Sequence, residues 1–77
     1  MARNLSNISI DEYADFLKSW GCKLTRTKAS HQHWTRSDLN RPITFQSTID
    51  PVPEFIIKNG LRSLGVSRQE IIAFLEK

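Results

Sequence analysis

The hydrophobic period of this chain changes at Gly21, and that change restricts the fold more than any other feature. Before it, Ile10, Tyr13, Phe16, Leu17 and Trp20 recur three and four residues apart, the spacing of one helix face. Ser9-Ile10-Asp11-Glu12 has the spacing of a capping box, in which Ser9 and Glu12 each satisfy a free backbone N–H of the other's residue. Asp11 and Glu12 in the first turn and Lys18 in the last suit the helix dipole, and Gly21 is placed to stop the helix. A helix over residues 10–20 is therefore expected, with its aromatic stripe in the core.

After Gly21 the period is two. Cys22, Leu24 and Arg26 alternate with Lys23, Thr25 and Thr27, which predicts a strand with Cys22 and Leu24 turned inward. Residues 27–30 make a turn. A second strand from about Ser30 to Arg36 puts Gln32, Trp34 and Arg36 on one side and His31, His33 and Thr35 on the other. Trp34 is the only large apolar residue of this strand, so its side faces the core and the histidines face water. Residues 37–42, rich in turn formers, give a hairpin loop, and Ile43 and Phe45 alternate with Thr44 and Gln46 in a third strand.

Asp50-Pro51-Val52-Pro53-Glu54 opens a second helical region, in which Phe55, Ile56, Ile57, Leu61 and Leu64 are the apolar positions and Gly65 is the stop. Ser67-Arg68-Gln69-Glu70 repeats the capping-box pattern before Ile71, Ile72, Phe74 and Leu75. The order α-β-β-β-α-α predicts a single α+β domain over residues 1–77. Its three-stranded antiparallel sheet carries helices on one face and leaves the other wet, with a short extra helix at the C-terminus.

A domain of 77 residues has a thin core and little room for an enclosed pocket, so a shallow surface site is expected, suited to a polymer. Cys22 is the only cysteine, which excludes an internal disulfide and fits a reducing cytoplasm. The opening MARNLSN lacks the apolar run of a signal peptide, and no stretch approaches membrane-spanning length. The charge is uneven. Between Lys18 and Arg41 six cations face Asp38 alone, a net of +5 that leaves −2 for the rest. The basic block brackets both histidines and Trp34, which points to a polyanionic partner.

The histidines narrow the chemistry. His31 and His33 point the same way, but no carboxylate lies near them in sequence and the lone thiol faces inward, so no metal site is expected. Ser30 directly precedes His31 and so points to the opposite face, which excludes a serine triad between them. The acids are scattered over helical surfaces, and the three glycines form no phosphate loop. What remains is imidazole as a proton-transfer group, with both protonation states accessible near its unperturbed pKa of about 6.5. RNA brings its own nucleophile in the 2′-hydroxyl. A protein need only remove that proton, orient the phosphate and stabilise the charge that develops, and Lys28, Arg26 or Arg36 can supply the last.

The run from Leu17 to Arg36, LKSWGCKLTRTKASHQHWTR, resembles the N-terminal half of HicA-type mRNA interferase toxins. In that family a helix ending in glycine is followed by a hydrophobic strand and a basic turn leading into Gly-Ser-His, with an aromatic three residues later. Lys28, Ser30, His31 and Trp34 occupy those places, and Ala29 stands where the glycine usually is. Gln32 replaces a common second histidine, and Phe45-Gln46-Ser47 replaces a Pro-Val-His-like sequence after the third strand. The ending LRSLGVSRQEIIAFL is similar to the family's closing section. The resemblance implies a double-stranded-RNA-binding-domain-like fold and a ribosome-independent endoribonuclease, free of metal and cofactor, that cuts mRNA in the cytoplasm. It implies His31 as the catalytic histidine, with Lys28, Arg26, Arg36, Ser30 and His33 as RNA contacts. It also implies a toxin that is monomeric alone and held in a hetero-oligomer by a HicB-type antitoxin. A non-catalytic RNA-binding module and a protein-interaction domain are the alternative readings of the same basic surface.

Overall fold

The computed structural model describes residues 4–76, so Lys77 and residues 1–3 of the opening stretch lie outside it. A short 3-10 turn at Leu5–Asn7 precedes α1 (Ile10–Ser19), β1 (Lys23–Lys28), β2 (His31–Thr35), β3 (Ile43–Gln46), α2 (Glu54–Leu64) and α3 (Arg68–Leu75). The strands form one antiparallel sheet in the order β1-β2-β3. The fold is α+β, with the helices on the face that carries Trp34, Ile43 and Phe45.

Local chemistry accounts for the helix ends. Ser9 Oγ accepts from the Glu12 N–H at 3.1 Å and Glu12 Oε1 accepts from the Ser9 N–H at 2.9 Å, so both halves of the first capping box are made. At the other end Gly21 adopts φ +83°, the Gly21 N–H donates to the Lys18 carbonyl and the Cys22 N–H to the Leu17 carbonyl. This is a Schellman closure, and Gly65 (φ +70°) ends α2 with the equivalent pair of bonds to Arg62 and Leu61. The second predicted capping box is not made. Ser67 takes the cap conformation, but its main-chain carbonyl accepts the Glu70 N–H at 3.1 Å, so the tight first turn removes the donor the hydroxyl would have used.

The core is aromatic and joins every layer. Tyr13, Phe16 and Leu17 of α1 are fully buried with Trp34, Phe45, Ile57 and Ile71. The Tyr13 ring packs at 4.9 Å on Phe45 of β3, and Phe16 meets Phe74 of α3 edge-on at 5.6 Å. Such tilted pairs add about 0.5–1.5 kcal/mol beyond area burial. Phe55, one of the apolar positions of this helix, does not join the core and is 65% exposed. The buried stripe of α2 is Ile57, Gly60, Leu61 and Leu64, and Phe55 precedes it by two residues, more than half a turn away.

β1 departs from the expected alternation. Leu24 pairs with Trp34, but the next partner pair is Arg26 with His33, so Thr25 is an extra residue and the strand carries a bulge. The bulge places Leu24 on the helix side and Arg26 on the opposite, wet side, correcting the expectation that Cys22, Leu24 and Arg26 share a face. Cys22 is 3% exposed as expected, whereas Leu24, on an edge strand whose residues are all exposed, is 45% exposed. Burial raises the Cys22 thiol pKa, keeping it protonated and unreactive.

Candidate nucleic-acid interface

The hairpin joining β1 and β2 has a two-residue loop, Ala29-Ser30, between the paired residues Lys28 and His31. Ala29 has φ +55°, at the position where tight hairpins of this kind favour glycine. The loop is tied to the end of β3: the Ser30 carbonyl accepts from the Ser47 N–H at 2.6 Å and from Ser47 Oγ at 3.0 Å. The register that follows sets two rows across the wet face. Lys28 lies opposite His31, which lies opposite Gln46; Arg26 lies opposite His33, which lies opposite Thr44. Directly opposed residues of an antiparallel sheet project to the same side with Cβ atoms about 4.5–5.5 Å apart, so each imidazole stands next to a cationic side chain.

On its other flank each ring meets a polar group of β3. The Gln46 amide nitrogen is 3.2 Å from His31 Nε2, and Thr44 Oγ1 is 3.2 Å from His33 Nδ1. An amide N–H donating to Nε2 keeps the lone pair of neutral His31 on that nitrogen and its proton on Nδ1. His31 is exposed and His33 half-buried, while Lys28 and Arg26 are exposed. A hydroxyl that displaces the Gln46 amide can give its proton to Nε2, beside cationic side chains that attract the neighbouring phosphate.

The structure brings Lys28, Arg26, His31 and His33 together, with Ser30 bordering them through its anchored carbonyl. It does not bring Arg36 to them. Arg36 turns toward α1, where Nη1 donates to the Trp20 carbonyl at 2.7 Å and Nε and Nη2 donate to the Asp38 carboxylate at 2.5 and 3.0 Å. The hydrogen bond from Arg36 holds the Asp38 carboxyl below its ordinary pKa. Arg36 is thus a strut between the exit of β2 and the end of α1. Thr44 and Gln46 were not singled out from the sequence as site residues; their signal was the alternation of β3, which puts them opposite the buried Ile43 and Phe45.

Beyond Gln46 the row opens into a groove of about 330 Å³, lined by His31, Thr44, Phe45 and Gln46 on the sheet side and by Ile49, Pro53, Phe55 and Ile56 on the other. Among the described residues no group of three or more His, Cys, Asp or Glu side chains is placed to hold a metal ion, and no helix is long and apolar enough to cross a membrane. Compared with models of known protein families, with curated protein sequences and with solved structures, the chain matches none.

Proposed function

We propose that the wet face of the sheet binds RNA and cleaves it, with His31 as the proton-transfer residue. The observation that supports this is the cross-strand row Lys28–His31–Gln46: a water-facing imidazole with an amide donor to Nε2 on one side and an ammonium on the other. In this reading Lys28 and Arg26 hold the phosphate on either side of the scissile bond. The 2′-hydroxyl displaces the Gln46 amide from His31 Nε2, which takes its proton as that oxygen attacks phosphorus. The 5′-oxygen leaves, taking up a proton, and the products end in a 2′,3′-cyclic phosphate and a 5′-hydroxyl. No metal or cofactor has a part in it.

The resemblance to HicA-type toxins extends the proposal. The fold is of the double-stranded-RNA-binding-domain type, the substrate is mRNA in the cytoplasm, and a HicB-type antitoxin silences the enzyme by covering this face. Ser30 and His33 contact the substrate, and Arg36, engaged with Asp38 and Trp20, acts by shaping the strand exit.

The test uses purified protein and end-labelled RNA in the presence of a metal chelator. Cleavage is expected to give cyclic-phosphate ends, and His31→Ala to slow it by about 10²–10⁴-fold while RNA binding and the melting curve are retained. Undiminished cleavage by His31→Ala refutes the assignment. Binding without cleavage by the unaltered protein leaves an RNA-binding module of the same fold.

A further inference from the structure

Large exposed apolar side chains are few among the described residues: Leu24, Ile49 (44% exposed) and Phe55. Two of the three, Ile49 and Phe55, rim the groove that His31 also lines. Phe55 is exposed because the buried stripe of α2 runs along the other side of the helix, so its aromatic face is left to water next to the proposed site. The sheet-side wall adds Phe45 and, as its polar members, His31, Thr44 and Gln46, whose ring nitrogen, hydroxyl and amide can meet the edge of a base. Two acids adjoin groove residues in sequence: Glu54 is paired with Lys58 at 3.0 Å, which offsets its repulsion of an anionic chain, and Asp50 Oδ1 accepts the Ile10 N–H at 3.1 Å.

We infer that this groove receives one unstacked nucleobase, seated against Phe55 and Ile49, of the RNA strand whose phosphate lies at His31 and Lys28, so that the substrate is single-stranded. The inference rests on the reading of the wet face as an RNA site. An aromatic face beside a cationic strip is the combination by which proteins hold single strands, since every base offers a π-face whatever its identity. A base within a duplex is stacked on both sides and cannot enter. A protein partner is the weaker fit, because a standard interface buries about 800 Å² per partner and only two large apolar side chains here, Ile49 and Phe55, are widely exposed.

The experiment measures binding at low salt of a labelled 2′-fluoro single-stranded oligonucleotide, which lacks the nucleophile and stays intact, and of its blunt duplex. Removing a stacking partner costs roughly 1–3 kcal/mol per base, so Phe55→Ala is expected to weaken single-strand binding about 5- to 150-fold. Duplex binding and the melting temperature stay unchanged, Phe55→Tyr retains the affinity, and Phe55→Leu loses it as the alanine variant does. Single-strand affinity unaltered in Phe55→Ala overturns the groove assignment and leaves the RNA-binding reading standing. Full affinity in Phe55→Leu, or equal losses on duplex and single strand, also overturns it and points to general apolar contact, as with a protein partner. If the unaltered protein binds the duplex but no single strand, the groove assignment falls alone; if it binds neither, both readings fall.

Discussion

Replacing Gly60 by alanine should reverse the sign expected from helix propensity. Gly60 lies within α2, where alanine is favoured by about 1 kcal/mol. A Cβ at this position, however, would lie 2.0 Å from Tyr13 Oη and 3.3 Å from Tyr13 Cζ. Ordinary contact is about 3.5 Å, so the hydroxyl would have to retreat by about 1.5 Å. Tyr13 is fully buried between α1 and β3 and has nowhere to go. Overpacking costs about 1–3 kcal/mol, and a clash this close belongs at the upper end. The net loss is about 2 kcal/mol, out of a total stability of roughly 4–12 kcal/mol for this length. At 4–8 °C per kcal/mol that lowers Tm by roughly 10 °C. The same hydroxyl has no hydrogen-bond partner among the described residues, and burial holds it in the neutral form by raising its pKa. Tyr13→Phe is therefore expected to be neutral or stabilising, by up to about 1–3 kcal/mol. In that background Gly60→Ala meets only the ring edge and should cost little. Urea unfolding of the parent, both single variants and the double variant, followed by circular dichroism, gives a coupling energy of about 2–3 kcal/mol if this packing is correct. A Gly60→Ala protein as stable as the parent, or an equal penalty in both backgrounds, refutes the reasoning.

Three further outcomes are expected. Ala29→Gly should stabilise by about 0.5–1 kcal/mol in urea unfolding, the relief of a positive φ less the added freedom of the unfolded chain; a loss of stability would show that φ +55° carries no strain here. Asp38 has its folded pKa depressed by Arg36, so its contribution is present above the unfolded carboxylate value of about 4 and is lost as pH falls through the folded value. The advantage of the parent over Asp38→Asn should thus be constant near neutrality and shrink below about pH 4, and an advantage unchanged in strong acid would argue against the pair. Gln46→Glu would place a carboxylate against His31 Nε2 and favour the imidazolium, so the rising limb of RNA cleavage should move to higher pH; an unmoved profile would mean that Gln46 does not act on the ring.

Helix positions, strand alternation and turn locations were legible because their causes lie within a few residues of one another. The Ser9–Glu12 box, the stops at Gly21 and Gly65 and the alternation of Trp34, Ile43 and Phe45 involve neighbours along the chain or strictly periodic faces. So did the exposure of His31, which follows from Trp34 taking the buried side. The bulge at Thr25 was not legible, since an extra residue in one strand shows only against the register of its partner. That single insertion decides that Arg26 joins the histidines. The exposure of Phe55 and the placing of Arg36 were hidden for a related reason. Composition says that a phenylalanine prefers burial and an arginine an anion, but which side of α2 is covered, and whether Asp38 and the Trp20 carbonyl are within reach, depends on how helix and sheet pack. The sequence by itself determined the order of the elements and which face of β2 meets water, through short-range hydrogen bonding and hydrophobic period. Only the tertiary structure decided which side chains share the His31 row, because cross-strand neighbours are chosen by register and packing between segments distant in the chain.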